Sequence, residues 1–199
     1  MSSYYFLTWK HKPEIAGAIY AVENQVSLEL IPQLEGKTTL PLDFQLKRVK
    51  EVKDGLAIDN NLTGLNEIWL DYQSNSLAWP LMSERLKSVI ATNLTGNEAI
   101  DWITCNVKNG NEERPYFILR FNKILDVLDI QKTLFVRGTD SIIKPVFAAS
   151  KVGAYTIFTT PSSYDLWKIS SGIYVSEFLK KEIQEQKLTG LDFEKTLVA

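Results

Sequence analysis

The stretch SERLKSVIATNLTGNEAIDWITCNVKNGNEERPYFILRF, residues 83–121, carries the strongest structural signals in the chain. Apolar residues recur in it at helical spacing: Leu86, Val89, Ile90 and Leu94. Ser83 suits the N-cap of this helix, and Gly96 suits the position after its last turn. Asn109-Gly110 then lies between two β-type runs and is typical of a tight hairpin turn. The stretch therefore predicts a helix over residues 83–95, followed by an antiparallel hairpin.

The same capping residues recur near the C-terminus. Ser176-Glu177-Phe178-Leu179-Lys180 repeats the Ser, Glu, Leu and Lys of Ser83-Glu84-Arg85-Leu86-Lys87, and both segments run on to Leu-Thr-Gly. This predicts a second helix over residues 176–188, closed by Gly190. The similarity fits a duplicated helix–strand unit, and it fits equally the same capping chemistry used twice.

Most of the remaining chain has the composition and period-two alternation of β-strands. The predicted strands are residues 4–9, 26–30, 44–49, 67–72, 133–137, 142–147, 154–159, 166–169 and 191–193, with a short helix or turn at 124–128. These elements predict an α+β fold in which two main helices pack on a mostly antiparallel sheet. No linker divides the chain, so we expect one compact domain; the alternative is a β-rich lobe (1–78) beside an α+β lobe (79–199).

Composition excludes several classes of function. Hydrophobic residues make up 45% of the 199 residues and charged residues 23%, which is ordinary for a folded protein. Twenty-two basic against 24 acidic residues give a net charge of -2, without the basic excess of a nucleic-acid-binding protein. The densest basic cluster, Lys47, Arg48, Lys50 and Lys53, is interpreted as a solvated strand or turn face. With no signal peptide and no membrane-spanning run, we expect a cytoplasmic protein that binds neither nucleic acid nor membrane.

The sequence contains no recognisable catalytic or metal-binding pattern. His11 and Cys105 are the single histidine and cysteine, too few for a zinc site of the usual nitrogen and sulfur type. Cys105 lies in a predicted strand, where a buried apolar role is expected. Gly36-Lys37-Thr38 resembles the end of a phosphate-binding loop, but Ile31 stands where that loop needs a glycine. We predict no catalytic residue, cofactor or metal, and we predict that the chain is not an enzyme.

Aromatic residues make up 11% of the chain, and some lie in contexts that indicate exposure. Loop aromatics are enriched in protein interfaces. The candidates for contact with a partner are Tyr72, Trp79, Tyr164 and Trp167. The alternative is that these rings pack inward as loop anchors.

Two segments resemble a family of bacterial immunity proteins that was formerly described only as a domain of unknown function. The first is Trp79-Pro80-Leu81-Met82-Ser83-Glu84-Arg85-Leu86, continuing through Trp102 and Tyr116-Phe117 towards Leu128-Asp129. The second is Ile173 to Lys180 with Leu188-Thr189-Gly190-Leu191-Asp192-Phe193. The resemblance covers roughly residues 79–193. It implies a cytosolic protein that binds the cognate toxin of a contact-dependent or related secretion system, and it carries over no catalytic residues.

Two other functions stay open at this point. The first is an enzyme that uses carboxylates dispersed along the sequence, in a cleft with two or more convergent Asp or Glu side chains. The second is a scaffold that associates with itself through its β-edges. The sequence does not indicate an oligomeric state.

Overall fold

A computed structural model describes residues 3–20, 26–41, 43–162 and 165–199. The first half of the chain forms β1 (Tyr4–Trp9), β2 (Glu14–Tyr20), α1 (Ser27–Leu30), a 3-10 turn (Ile31–Leu34), β3 (Phe44–Val52), β4 (Gly55–Asp59), β5 (Tyr72–Gln73), β6 (Leu81–Met82) and α2 (Glu84–Thr92). The second half forms β7 (Ile100–Asn109), β8 (Glu112–Phe121), β9 (Leu134–Phe135), β10 (Ile142–Lys144), α3 (Ala149–Val152), β11 (Ile157–Thr159), β12 (Ile173–Ser176), α4 (Glu177–Glu185) and β13 (Leu191–Lys195). These described elements are mostly strands with short helices between them, so the predicted α+β class is confirmed.

The first sheet joins the two ends of the chain. Its strand order is β11–β12–β1–β13, and every pair is antiparallel. Leu7 in β1 lies opposite Ile173 in β12 on one side and Phe193 in β13 on the other. The first sheet therefore contains strands from both of the possible lobes, residues 1–78 and 79–199, because β1 lies between β12 and β13.

The second sheet has the order β2–β3–β7–β8–β6–β5, and β4 pairs with β3 beside this path. The β3–β7 pair is parallel, and the other pairs are antiparallel. The predicted hairpin of β7 and β8 is confirmed, but its loop is Gly110-Asn111, because Asn109 still pairs with Glu112. Gly110 has a φ of 58°, which glycine adopts at little cost. A separate two-stranded sheet pairs β9 with β10.

The α2 and α4 helices begin as predicted and end earlier than predicted. Ser83 is the N-cap of α2, and its Oγ accepts a hydrogen bond from the Leu86 amide at 3.3 Å. Ser176 is the N-cap of α4, and its Oγ accepts from the Leu179 amide at 3.2 Å. The two helices pack against each other. After α4, Gly190 has a φ of 82°, and a Cβ there would collide with the backbone carbonyl oxygen of Tyr72.

Four predicted elements are wrong, and two of the errors have a visible local cause. Residues 26–30 form α1 rather than a strand, because the buried positions Leu30, Ile31 and Leu34 follow helical spacing. Residues 67–72 are extended only at Tyr72, since the Leu70 amide donates to the Gln73 side chain at 3.1 Å and not to another strand. Residues 166–169 form a turn instead of a strand, and residues 124–128 form an irregular segment instead of a short helix or turn. The predicted strands at 133–137, 142–147 and 154–159 are present but shorter than predicted.

Two hydrophobic cores hold the described residues together. The first lies between the first sheet, α2 and α4; among its members are Leu7, Leu86, Phe121, Phe147, Leu179 and Ile183. The second lies under the second sheet; among its members are Ala16, Ala18, Phe44, Leu46, Trp79 and Ile118. The second core covers only one face of the β2–β3 pair, which leaves the other face to the surface.

Candidate protein-binding surface

The predicted contact aromatics are buried wherever the structure describes them. The exposed fraction is 1% for Tyr72, 0% for Trp79 and 8% for Trp167, whereas Tyr164 lies outside the described residues. The expectation that these rings are exposed is therefore wrong for three of the four. Contact of these residues with a partner stays a prediction.

Side-chain and backbone bonds explain why Trp79 points inward. The Asn75 Nδ2 donates to the Trp79 carbonyl at 2.7 Å, and the Asn75 Oδ1 accepts from the Trp79 amide at 3.1 Å. The Trp79 indole N–H also donates to the Ser27 hydroxyl. Tyr72 is held differently, by stacking on Trp9 with ring centroids 5.6 Å apart. These contacts match the alternative that the rings are loop anchors.

The outward face of β2, β3 and β4 is more promising as a binding surface. Strand register places Ile15 beside Val49, and Val49 beside Ile58. Leu56 follows on the same face, whereas the residues that alternate with these in β2 and early β3 enter the second core. The groove above this face has a volume of about 540 Å³ and is bounded by residues 8–13 and 74–76. We name it the outer groove.

The floor of the outer groove is apolar where water-facing sheet surfaces are usually polar. Ile15, Ile19 and Val49 are half-buried, and Leu56 and Ile58 are 66% and 55% exposed. A neighbouring set of large aliphatic side chains on the outside of an antiparallel sheet typically marks an interaction surface.

Gly17 shapes the middle of this floor. A Cβ at Gly17 would lie 2.7 Å from Cγ2 of Val49, closer than atoms of packed side chains approach each other. The glycine therefore allows Val49 to lean across β2 and close the floor of the groove.

The sequence profile described as the Immunity protein family (Imm11) matches residues 23–198 of the chain. The chain belongs to the Imm11 immunity protein family. The predicted resemblance to immunity proteins is thus confirmed, and it extends further towards the N-terminus than residues 79–193. No curated protein matches the chain. In this Imm11 protein the outer groove combines β3, β4 and residues 74–76, which lie within the matched range, with residues 8–13 and β2, which precede it.

The margin of the groove is rich in cations. Lys10, His11 and Lys12 line it, and Lys47 lies on the same face of β3 as Val49. Lys12 forms an ion pair with Glu67 at 3.4 Å, and the His11 ring lies 3.7 Å from the Glu51 carboxylate. Neither Lys10 nor Lys47 forms an ion pair with a carboxylate in the described part of the chain. These two ammonium groups are available to a partner.

Two polar atoms of the groove also lack partners. Trp9 and Ser74 belong to the lining of the groove, but the Trp9 indole Nε1 and the Ser74 hydroxyl are shielded from water, and neither has a hydrogen bond within the described residues. Burying such groups without a partner costs about 1–3 kcal/mol each.

A second exposed apolar patch lies on the β9–β10 hairpin. It contains Leu134, Val136 and Ile143, of which Ile143 is 58% exposed. The structure gives this patch no unpartnered buried polar atoms, unlike the outer groove.

The buried acidic groups of this Imm11 protein are occupied by structural hydrogen bonds. Glu98 is 1% exposed and accepts from the amides of Thr156 at 2.8 Å and Gly96 at 3.0 Å. Burial alone raises the pKa of Glu98, but hydrogen bonds from the backbone of Thr156 and from Thr95 outweigh burial and hold it below its ordinary value. Its role is to fix the loops around it.

Cys105 is buried in β7, as predicted for a small apolar residue. Burial, with a smaller contribution from the charge of Asp43, raises the pKa of the Cys105 thiol. A thiol of this kind is a poor nucleophile. In the described residues no group of three or more His, Cys, Asp or Glu side chains could hold a metal ion, and none of the helices is long and apolar enough to cross a membrane.

Proposed function

We propose that this Imm11 protein is a cytoplasmic immunity protein that binds a cognate toxin domain and neutralises it by forming a stoichiometric complex. The observation that carries the proposal is membership of the immunity protein family over residues 23–198. The proposed activity is binding without turnover, and it involves neither nucleic acid nor membrane.

The surface chemistry supports a protein partner. Leu56 and Ile58 expose aliphatic area next to the partly covered Ile15 and Val49, and cationic side chains border them. An apolar centre with a charged margin is the usual composition of a protein interface. Burial of the centre supplies affinity, and the margin speeds association and selects the partner.

The direct test is rescue of cells from the toxin encoded by the gene next to the coding gene. Co-expression of this chain is expected to restore growth, and a chain with a premature stop codon serves as the control. Calorimetry on the purified pair is expected to give one chain per toxin domain. Continued cell death with full-length chain present would end the proposal.

A further inference from the structure

The strand β4 is an open edge of the second sheet. All five of its residues, Gly55 to Asp59, are exposed. Within the described residues β4 pairs with β3 alone, so the backbone N–H and C=O groups on its other side have no strand to bond. Such an edge is a template for another strand.

The sequence of β4 lacks the usual protection of an edge. Natural edge strands are commonly blocked by proline, by a β-bulge or by an inward-pointing lysine. β4 reads Gly-Leu-Ala-Ile-Asp, and its register with β3 is continuous from Gly55 to Asp59. Its two aliphatic side chains, Leu56 and Ile58, both point to the outer groove.

We propose that β4 and the outer groove together receive an extended segment of the toxin, which adds to β4 as a new strand. The segment carries aliphatic side chains on the face next to Leu56 and Ile58, and carboxylates that reach Lys10 and Lys47. This inference rests on the proposed function, and it specifies where and how the partner binds.

Geometry supports the aliphatic part of this recognition. A strand added to β4 lies about 4.8 Å from it, and its alternate side chains continue the row of Leu56 and Ile58. The groove beside this row is mostly apolar and is large enough for further side chains of the partner. Backbone hydrogen bonds then supply affinity, and the side-chain row supplies selectivity.

Charge supports the acidic part. The whole chain carries a net charge of -2, yet Lys10, Lys12, Lys47 and His11 gather around this one face with Glu51 and Glu67. Glu51 and Glu67 each lie next to a cationic or basic side chain, whereas Lys10 and Lys47 have no carboxylate partner within the described residues. The unmatched charged groups are thus the ammonium groups of Lys10 and Lys47, which select for anions.

Amide hydrogen exchange tests strand addition directly, with the toxin domain encoded by the adjacent gene as the probe. In the free chain the β4 amides that point away from β3 exchange rapidly, while those bonded to β3 are slower. In the complex both sets are expected to exchange slowly. A complex that leaves the outward β4 amides unprotected would overturn the inference while leaving the proposed function intact.

A matched pair of substitutions tests the apolar row. Ile58→Lys is expected to weaken binding by at least about tenfold, because it removes an aliphatic side chain that the complex buries. Ile143→Lys, at a residue of the same type and nearly equal exposure, is expected to change binding by less than about twofold. Both residues are exposed, so both variants are expected to unfold near the wild-type temperature. A loss of binding in Ile143→Lys alone would place the toxin on the β9–β10 hairpin instead.

The double variant Lys10→Glu, Lys47→Glu tests the charge. Slower association is expected, with the largest effect at low salt. Unchanged association kinetics would exclude carboxylates at these positions. Absence of any complex with the wild-type chain would overturn the proposed function and this inference together. Light scattering that shows a dimer of the free chain with β4 already protected would assign the edge to a second copy.

Discussion

Removal of the Asp71 side chain is expected to loosen the junction between α2 and the segment after α4. Asp71 is 5% exposed, and its carboxylate accepts from the Ser83 hydroxyl at 2.6 Å and from the Thr189 amide at 2.9 Å. Arg85 approaches the same carboxylate at 3.3 Å and also donates to the Gln186 carbonyl at 3.0 Å. One side chain thus connects the N-cap of α2 with the loop that leads into β13.

The size of the effect follows from these bonds. A hydrogen bond to a charged group contributes about 1.5–3 kcal/mol. Asp71→Ala breaks two short bonds of this kind, but Thr189 is only half-buried, so water replaces part of what is lost. The expected loss in the free energy of unfolding is about 3 kcal/mol, or roughly 6–12 °C in Tm for a chain of this size. That is a large part of the 5–15 kcal/mol typical of folded proteins.

Urea unfolding followed by tryptophan fluorescence measures this loss, with Asp126→Ala as the matched control. Asp126 also forms an ion pair, with Lys151 at 2.8 Å, but its side chain is 79% exposed. An exposed pair contributes less than about 1 kcal/mol. If Asp71→Ala costs no more than Asp126→Ala, the junction is not held by the Asp71 carboxylate and the reasoning is refuted.

Four further substitutions test local features of the fold. Ser83→Ala and Ser176→Ala are each expected to cost about 1 kcal/mol through loss of an N-cap, measured by urea unfolding, and a cost below about 0.3 kcal/mol at either site would contradict the capping geometry. Glu98→Gln is expected to destabilise the chain near neutral pH; because the folded-state pKa of Glu98 lies below 4.5, its contribution is present above that pH and is lost as the pH falls through the folded-state pKa. The deficit of the variant therefore shrinks in acid, and a deficit independent of pH would exclude the carboxylate as its source. Gly190→Ala is expected to lower Tm more than Gly138→Ala, since both glycines have positive φ, at 82° and 79°, but only Gly190 has backbone against its Cβ position. Equal losses in Tm would show that φ alone matters.

Structural features that depend on a few neighbouring residues could be predicted from the sequence. Ser83 and Ser176 were identifiable as N-caps because the capping bond spans only three residues. The β7–β8 hairpin was identifiable because Asn109-Gly110 marks a turn between two β-type runs, although the loop itself is Gly110-Asn111. Cys105 was correctly placed in the interior by the same strand assignment.

Structural features that depend on residues far apart in the sequence could not be predicted. Trp79 follows a polar segment, which indicates exposure, but its ring packs in the second core and its indole N–H donates to Ser27, far away in the sequence. The position of β1 in the first sheet depends on β12 and β13 at the other end of the chain. The outer groove depends on the register of three strands, and no single strand shows it. Strand pairing over long separations is not encoded in local pattern.

The sizes of the side chains in β2 indicate that its outward face contributes to more than the stability of the fold. A strand that serves only its core places its larger aliphatic residues inward, because burial of apolar area drives folding. In β2 the aliphatic residues are arranged the other way: Ala16 and Ala18 enter the core beside Tyr20, whereas Ile15 and Ile19 face the outer groove. Gly17 between them has no side chain and makes room for Val49. Ile15 and Ile19 are only half-buried in the free chain, so part of their apolar area is left for a partner to cover. The apolar area of this face therefore fits a partner better than it fits the isolated fold.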